Sequence, residues 1–165
     1  MTQREMTLSP VTDLQIRQDL AALHAAVRNF GAFADAGLFA QLEALFAPRV
    51  HVDYQSLTGQ APARVEAATL MREWAGVLPG FDLTFHHIDG INIDLHGDSA
   101  SVAANVCADH FVAGLFWRVR GCYEFTFQHG ERRWKIDSLR FLLREEEGTR
   151  DVFGLAISAV QDRAA

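Results

Sequence analysis

LTFHHIDGINIDL, residues 83–95, alternates apolar and polar residues as a β-strand does, and it carries two adjacent histidines. Side chains of a strand point alternately to opposite faces of the sheet. Phe85, His87 and Ile93 fall on one parity, which predicts that these three side chains face the protein interior. His86 falls on the other parity and is expected to face solvent. The pattern therefore predicts one imidazole, that of His87, inside the protein.

The composition is that of a single globular domain. The chain has 165 residues, of which 49% are hydrophobic and 22% charged, so it is long enough to bury a core. A net charge of −6 without basic runs argues against nucleic acid or an anionic membrane as a partner. No apolar run approaches the roughly 18 residues of a membrane span, and the first ten residues lack the apolar core of a secretory signal. Cys107 and Cys122 have no partner at metal-site spacing and fit a reducing compartment, so a cytoplasmic location is expected.

Helix signals dominate the first half of the chain. Pro10 is favourable at a first helical position, and apolar residues then recur at three- and four-residue intervals until Gly37, which can end the helix. A second short helix is expected over residues 38–46 and a third over residues 64–77. Residues 49–57 alternate between these two helices and are expected to form a strand.

Strand signals dominate from Phe81 onward, where four long alternating runs are separated by turns. Gly90 is a candidate β-bulge, which would reverse the face of the residues after it. Residues 152–160 could form a short helix or a strand. Helices followed by a strand meander predict an α+β fold, in which helices cover one face of a curved, mostly antiparallel sheet. Such a sheet can enclose a cavity between itself and the helices.

Four polar side chains fall on the apolar faces of different strands: Tyr54, His87, His110 and Tyr123. Buried polar groups need hydrogen-bond partners, so their convergence predicts a partly wet pocket rather than a dry core. Histidine can transfer protons near neutral pH. Tyrosine hydroxyls can stabilise a developing oxyanion.

An orienting carboxylate for the histidines is harder to select. The candidates are Asp35, Asp53, Asp89, Asp94 and Asp109. Strand parity places Asp53, Asp94 and Asp109 outward, whereas Asp89 shares the parity of His87. Asp35 lies in the last turn of the first helix, off the centre of its apolar stripe, so helical periodicity predicts a surface position for it.

Three segments carry a resemblance to a known family: FADAGLFAQLEALFAPRVHVDYQSL (33–57), FHHIDGINIDLHGDSASVAANV (85–106) and RGCYEFTFQHGERRWKIDSLRF (120–141). Their order resembles the nuclear transport factor 2-like superfamily, in particular its SnoaL-like branch and the scytalone dehydratase type. The resemblance implies a cone-shaped, curved, mixed and mostly antiparallel sheet that wraps around three N-terminal helices and encloses a cavity. It implies one domain over residues 12–145, an N-terminal tail over 1–11 and a C-terminal extension over 146–165. A homodimer or another homo-oligomer is also expected.

The resemblance also assigns roles to residues. Asp35 matches the aspartate at the end of the first helix, which pairs with a histidine, and His110 is expected to be that partner. His87 matches the histidine that acts as the acid and base. Tyr54 matches the tyrosine at the end of the first strand; in that type, tyrosines hold a water molecule that polarises the substrate carbonyl.

Departures from the dehydratase pattern point to a different substrate. Ala34 stands where that type has a second tyrosine, while Gly121 and Tyr123 replace a serine and an asparagine that touch the substrate. The acid and base set is thus kept, whereas the binding set has changed.

The resulting hypothesis is a cofactor-independent lyase or isomerase that acts on a small apolar cyclic or aromatic molecule. Tyr123, Phe85, Val106 and Trp117 are expected to line its binding site. The first alternative is a module of the same fold that only binds a small molecule or dimerises. The second is an iron or zinc site made from two histidines and a carboxylate. Because those ligands would come from separate elements without recognisable spacing, no metal and no cofactor are expected.

Overall fold

Five helices, one 3₁₀ turn and six strands make up the part of the chain that the structure describes, which is residues 10–165 of a computed structural model. In chain order they are α1 (Pro10–Ala36), α2 (Phe39–Glu43), β1 (Phe46–Asp53), α3 (Gln55–Thr58), β2 (Ala63–Glu66), α4 (Ala67–Ala75), the 3₁₀ turn (Leu78–Gly80), β3 (Leu83–His96), β4 (Ser99–Val112), β5 (Leu115–His129), β6 (Trp134–Gly148) and α5 (Asp151–Ala164). The predicted tail lies outside the described residues as far as residue 9, and α1 begins at Pro10.

The six strands form one sheet in the order β2-β1-β6-β5-β4-β3. Strands β3 to β6 form the antiparallel meander that the alternating runs predicted, and β2 is antiparallel to β1. Strand β1 runs parallel to β6. The predicted mixed, mostly antiparallel sheet is therefore confirmed.

Two glycines accompany irregularities that bend the sheet. The register between β3 and β4 shifts between Asp89 and Asn92, around Gly90, whose φ of +58° suits a glycine. Strand β5 shifts against β6 at Gly121, where an added Cβ would lie 2.2 Å from the carbonyl oxygen of Leu142. Bulges increase local twist and bend a strand, so the sheet curves. The bulge predicted at Gly90 is confirmed.

Helix α1 packs its apolar stripe into the concave face of this sheet. Leu23 and Val27 are fully buried, which stabilises the fold by roughly 1.5–3 kcal/mol for each side chain. Gly31 lets α1 approach β3 closely, since an added Cβ would lie 3.0 Å from Cδ1 of Ile88 and 3.1 Å from Cβ of His86. The last turn of α1 is thereby held beside β3.

The C-terminal segment forms α5, the helical alternative of the two that were predicted. Helix α5 packs tightly on the 3₁₀ turn, because an added Cβ on Gly80 would lie 1.8 Å from the carbonyl oxygen of Ala156. The predicted domain boundary at residue 145 falls inside β6, which continues to Gly148. Among residues 10–165, no helix is both long enough and apolar enough to span a membrane.

Two predicted boundaries are wrong. The strand expected over residues 49–57 is β1, which ends at Asp53 and is followed by the single turn of α3. The helix expected from residue 64 begins at Ala67, because residues 63–66 form β2 and pair with β1. An ion pair across these strands, Arg49 Nε to Glu66 Oε1 at 3.0 Å, accompanies the pairing.

Candidate active site

Asp35 and His86 form the central pair of the site. The Asp35 carboxylate accepts three hydrogen bonds from β3: from Thr84 Oγ1 at 3.0 Å, from the His86 backbone N–H at 2.7 Å, and from His86 Nδ1 at 2.6 Å. The side chains of His86 and Asp35 are only 10% and 18% exposed. Asp35 therefore fixes the position and the ring orientation of His86.

The ionisation of Asp35 determines the tautomer of His86. Burial raises the pKa of the Asp35 carboxyl, but the hydrogen bonds and the charge of His86, together with Thr84, outweigh burial and hold this pKa below its usual value. An ionised carboxylate can only accept hydrogen bonds, so Nδ1 of the neutral imidazole carries the hydrogen. Nε2 is then left with an unprotonated lone pair, which can act as a base.

The expected inward orientation of His87 is wrong. His87 lies on the outer face of β3, where its side chain is 60% exposed and its Nε2 lies 3.2 Å from Oδ2 of Asp89. The bulge at Gly90 explains the error, since the parity of Ile93 does not extend back through it. His86 occupies the inner face instead, between the inner-face residues Thr84 and Ile88.

His110 lies beside this pair, deeply buried. It is 5% exposed, and among the described residues its Nδ1 has no hydrogen-bond partner. Its ring centroid lies 5.0 Å from that of Trp117, 5.1 Å from Phe81 and 5.7 Å from His86. Burial, and secondarily the charge of His86, lowers the pKa of His110 to about 4. His110 is therefore a neutral imidazole near pH 7.

The expected pairing of Asp35 with His110 is wrong as well. Within the described part of the chain, the hydrogen bonds of the Asp35 side chain all go to Thr84 and His86 on β3. Strand β3 is the edge strand beside α1, whereas His110 lies one strand further into the sheet, opposite Thr84 in the register. The carboxylate at the end of α1 therefore lies beside β3, the edge strand, and bonds to its residues rather than to His110 on β4.

Two tyrosines contribute hydroxyl groups. Tyr54 follows β1 and stacks on Phe141, with ring centroids 5.9 Å apart. Tyr123 on β5 meets Phe30 edge-on at 5.3 Å. Burial raises the pKa of Tyr123 to about 12, while burial, the charge of Tyr123 and a hydrogen bond donated to Tyr123 raise the pKa of Tyr54 well above its usual value. Both phenols stay protonated near neutral pH, and Tyr123 is the one whose hydroxyl can donate to a ligand.

These groups line a cavity of about 550 Å³ between the helices and the sheet. Its wall includes Tyr54, His86, His110 and Tyr123 and is otherwise mostly apolar, and none of its described lining residues is a lysine or an arginine. Exposed lining residues, among them Glu73, mark the mouth. The cavity can therefore hold a small, largely apolar and uncharged molecule.

The predicted wall is correct in part. Trp117 and Tyr123 line the cavity, and so does Phe153 of α5, which periodicity did not single out. The expected place of Phe85 in the wall is wrong, because Phe85 shares the outer face with His87 and is 55% exposed. Val106 is buried in the core but is not among the residues that line this cavity.

The metal-site hypothesis concerns clusters of ligating side chains. In the described chain, no group of three or more histidine, cysteine, aspartate or glutamate side chains is placed to hold a metal ion.

Chemically, the site offers an imidazole base, a neutral imidazole and two phenols around an apolar space.

Comparisons with known proteins agree with this fold. A family model described as a SnoaL-like domain matches residues 15–140. No curated protein matches the chain in sequence.

Among solved structures, a Kribbella flavida protein is 22% identical with a TM-score of 0.77, and the match covers 86% of this chain and 98% of that one. A Novosphingobium aromaticivorans protein proposed to be a scytalone dehydratase is 20% identical, with a TM-score of 0.73 and coverage of 84% and 92%. A Streptomyces avermitilis protein proposed to be a dehydratase of the nuclear transport factor 2-like family is 14% identical, with a TM-score of 0.68 and coverage of 78% and 99%. At these identities the structures show likeness of fold. Because the family model matches most of the chain, the chain belongs to the SnoaL-like domain family.

Proposed function

We propose that this protein is a cofactor-independent lyase or isomerase that acts on a small, uncharged cyclic molecule, with His86 as the general base. One observation carries the proposal: a buried carboxylate, Asp35, holds His86 on the wall of an apolar cavity, and Nε2 of His86 has no partner among residues 10–165. An imidazole base that is oriented by a second group is a recurring arrangement for proton abstraction.

The proposed reaction begins with transfer of a proton from the substrate to Nε2 of His86. The proton comes from a carbon next to a carbonyl group, and the C–H electron pair becomes the π-bond of an enolate. The hydroxyl of Tyr54 donates to that of Tyr123, and the hydroxyl of Tyr123 donates a hydrogen bond to the oxyanion. In a lyase reaction the carbonyl re-forms, the enolate electron pair forms the Cα=Cβ bond as the bond from the β-carbon to the leaving group breaks, and His86 gives the proton to the departing group. In an isomerase reaction His86 returns the proton to another carbon of the conjugated enolate. The neutral ring of His110 lies on the cavity wall beside His86, with ring centroids 5.7 Å apart.

The wall of the cavity supports an uncharged substrate. A carboxylate or phosphate would enter a mostly apolar space with no cationic partner among the described lining residues, and its desolvation would be costly. The two similar structures that are proposed to be dehydratases support elimination of water as one form of the lyase reaction.

Hydrogen–deuterium exchange of a cyclic ketone tests proton abstraction without knowledge of the natural substrate. The probe is 2-tetralone, a neutral bicyclic ketone with acidic α-hydrogens, in deuterated buffer with detection by proton NMR. We expect the protein to accelerate exchange and His86→Ala to lose this acceleration by about 10²- to 10⁴-fold. His87→Ala is the matched control, because His87 is the adjacent histidine on the opposite face, and it should exchange like the wild type.

Equal exchange by wild type and His86→Ala would contradict the proposal. Saturable binding of 2-tetralone to the wild type without any accelerated exchange would favour the alternative function, a module that binds a small molecule. In that case His86 would orient the ligand rather than take its proton.

The homo-oligomeric state and the cytoplasmic location stay predictions from the sequence. Size-exclusion chromatography with light scattering measures the oligomeric state, and a mass of two or more chains is expected. A single-chain mass across micromolar concentrations would contradict that expectation.

A further inference from the structure

A set of hydrogen bonds connects the inner wall of the cavity to its mouth. Trp117, on the wall, donates from Nε1 to Oε1 of Glu146 at 2.8 Å. Arg150 binds the same carboxylate through two hydrogen bonds, from Nε at 2.6 Å and from Nη2 at 2.7 Å. The third guanidinium nitrogen of Arg150, Nη1, donates to the carbonyl oxygen of Leu57 at 2.8 Å.

Leu57 begins the segment that forms one side of the mouth, residues 57–63, which we call the mouth segment. Five of its residues line the cavity: Leu57, Thr58, Gln60, Ala61 and Ala63. Tyr54 lies shortly before this segment, and its carbonyl oxygen accepts the backbone N–H groups of Leu57 and Thr58. The hydrogen bond from Arg150 therefore reaches the same helical turn that follows Tyr54.

The geometry of Arg150 makes this connection directional. Two hydrogen bonds to one carboxylate restrict rotation of the planar guanidinium group. The direction of its third nitrogen, Nη1, is therefore fixed. Arginine pairing is the largest cause that holds the pKa of Glu146 below its usual value, so Glu146 is ionised and accepts all three bonds from Arg150 and Trp117 at neutral pH. The ring of Trp117 in turn packs against His110 at 5.0 Å.

Both charged residues lie after residue 140, where the match to the SnoaL-like family model ends. Glu146 lies near the end of β6, and Arg150 lies directly before α5.

We propose that Glu146 and Arg150 are positioning residues that clamp the mouth segment over the cavity and set the rate at which a ligand enters and leaves. The proposal rests on the proposed function only in taking this cavity as the ligand site. Without the clamp, the mouth segment opens more often, while the groups that contact the ligand inside are unchanged. Association and dissociation should then both become faster, with little change in affinity.

Amide hydrogen exchange with mass spectrometry measures opening of the mouth segment in the full chain, without a ligand. The amides of Leu57, Thr58 and Gly59 are protected by bonds within the turn of α3. We expect Arg150→Met to speed their exchange about tenfold, the effect of losing one hydrogen bond to a charged donor. Arg150→Lys keeps the charge but cannot make all three bonds. Its amide exchange rates should therefore lie between those of the wild type and those of Arg150→Met.

Arg163→Met is the matched control for α5. Arg163 lies near the end of α5, whereas Arg150 precedes its first residue, and it likewise donates to a backbone carbonyl, that of Pro79, at 2.7 Å, away from the mouth segment. If the Arg150 effect arose only from looser packing of α5, the two variants would speed exchange of the mouth segment equally. That result, or unchanged exchange in Arg150→Met, would overturn the clamp.

Stopped-flow fluorescence with 2-naphthol measures ligand entry and exit. We expect both rate constants to rise about fivefold to tenfold in Arg150→Met, with the dissociation constant changed less than about twofold. Glu146→Gln, which keeps an oxygen for Trp117 but loses the charge that holds Arg150, should show a smaller rise of both rates. Because 2-naphthol binds without being converted, this outcome is independent of whether His86 acts as a base. Faster amide exchange with unchanged 2-naphthol rates would overturn the role in ligand entry.

Discussion

Replacing Asp35 with asparagine should change which nitrogen of His86 carries the hydrogen. If the amide oxygen of the new side chain takes the place of Oδ2, it accepts the His86 backbone N–H as the carboxylate does. The amide nitrogen then lies where Oδ1 met Thr84 Oγ1 and His86 Nδ1, and it can only donate. Nδ1 becomes the acceptor, so the hydrogen moves to Nε2 and the lone pair that faces the substrate is lost.

Asp35→Asn should affect activity far more than stability, because in this arrangement every partner of the new amide stays hydrogen-bonded. Changing three bonds to an ionised acceptor into neutral bonds costs about 1 kcal/mol each. Burial penalises a neutral amide less than a carboxylate, which offsets part of this loss, so we expect Asp35→Asn to lower the free energy of unfolding by about 1–2 kcal/mol. Loss of the general base should slow proton abstraction by about 10²- to 10⁴-fold.

The stability that Asp35 contributes depends on pH in a defined direction. Because the pKa of Asp35 is lowered in the folded protein, its ionised form stabilises the fold above the unfolded-state pKa of about 3.9. This stabilisation is lost as the pH falls through the lower folded-state pKa. Asp35→Asn should lack this part of the acid sensitivity in urea unfolding followed between about pH 6 and pH 3.

Two measurements on the same samples at about pH 7.5 test these expectations. Exchange of 2-tetralone gives the rate of proton abstraction, and urea unfolding gives the free energy of unfolding. Asp89→Asn is the matched control, because Asp89 pairs with His87 at 3.2 Å on the outer face of the same strand. It should retain wild-type exchange. If Asp35→Asn stayed folded and exchanged the ketone within about threefold of the wild-type rate, the assignment of His86 as an Asp35-oriented base would be refuted.

Four further substitutions probe burial, close packing and a hydroxyl donor. The pKa of His110 is about 4 in the folded protein and about 6.5 when unfolded, so the unfolded chain gains the extra proton first and stability falls as the pH drops from 6.5 to 4. At pH 5 this loss should be about 2 kcal/mol, and His110→Phe should lack it in urea titrations at about pH 7.5 and 5. Gly80→Ala should destabilise the protein by about 2–3 kcal/mol, because its Cβ would lie 1.8 Å from the carbonyl oxygen of Ala156. Gly154→Ala places its Cβ in open space and should stabilise α5 by about 0.5–1 kcal/mol. Thermal unfolding measures both changes. Tyr123→Phe should slow 2-tetralone exchange by about 10²-fold, and an unchanged rate would exclude this hydroxyl as an oxyanion donor.

The long elements could be predicted from the sequence because their periodicity extends over many residues. Helix α1 and strands β3 to β6 each contain at least 14 residues with a repeating apolar pattern. The four residues of β2 and the four of α3 carry too little pattern to stand out. Strand β2 in particular depends on pairing with β1, and sequence periodicity does not show that contact.

The positions of His110 and Tyr123 could be predicted because local parity holds in their strands, whereas Tyr54 lies just past the end of β1. In β4, alternating burial runs from Ala100 to Val112 without a register shift against β5. In β3, Ile93 lies on the far side of the Gly90 bulge, so its parity selects His87 instead of His86. Ile88 is the better signal, since it is apolar, precedes the bulge and shares the parity of His86.

The role of Asp35 could not be derived from periodicity because it depends on how two distant elements approach each other. Its partners lie 49 and 51 residues further along the chain. The close contact of Gly31 with His86 brings the end of α1 to β3, and a glycine inside a helix is the one local sign of such an approach. Family resemblance identified Asp35, and tertiary geometry identified its partner.

The protonation of His86 tests the central claim most directly. Nitrogen-15 NMR of uniformly labelled protein at about pH 8.5, well above the usual pKa of histidine, distinguishes a protonated from an unprotonated ring nitrogen, and comparison with His86→Gln assigns the signals. We expect His86 to carry its hydrogen on Nδ1, with an unprotonated Nε2, and we expect the two nitrogens to exchange these states in Asp35→Asn. A wild-type His86 with its hydrogen on Nε2 would contradict the claim that Asp35 prepares this imidazole as a base.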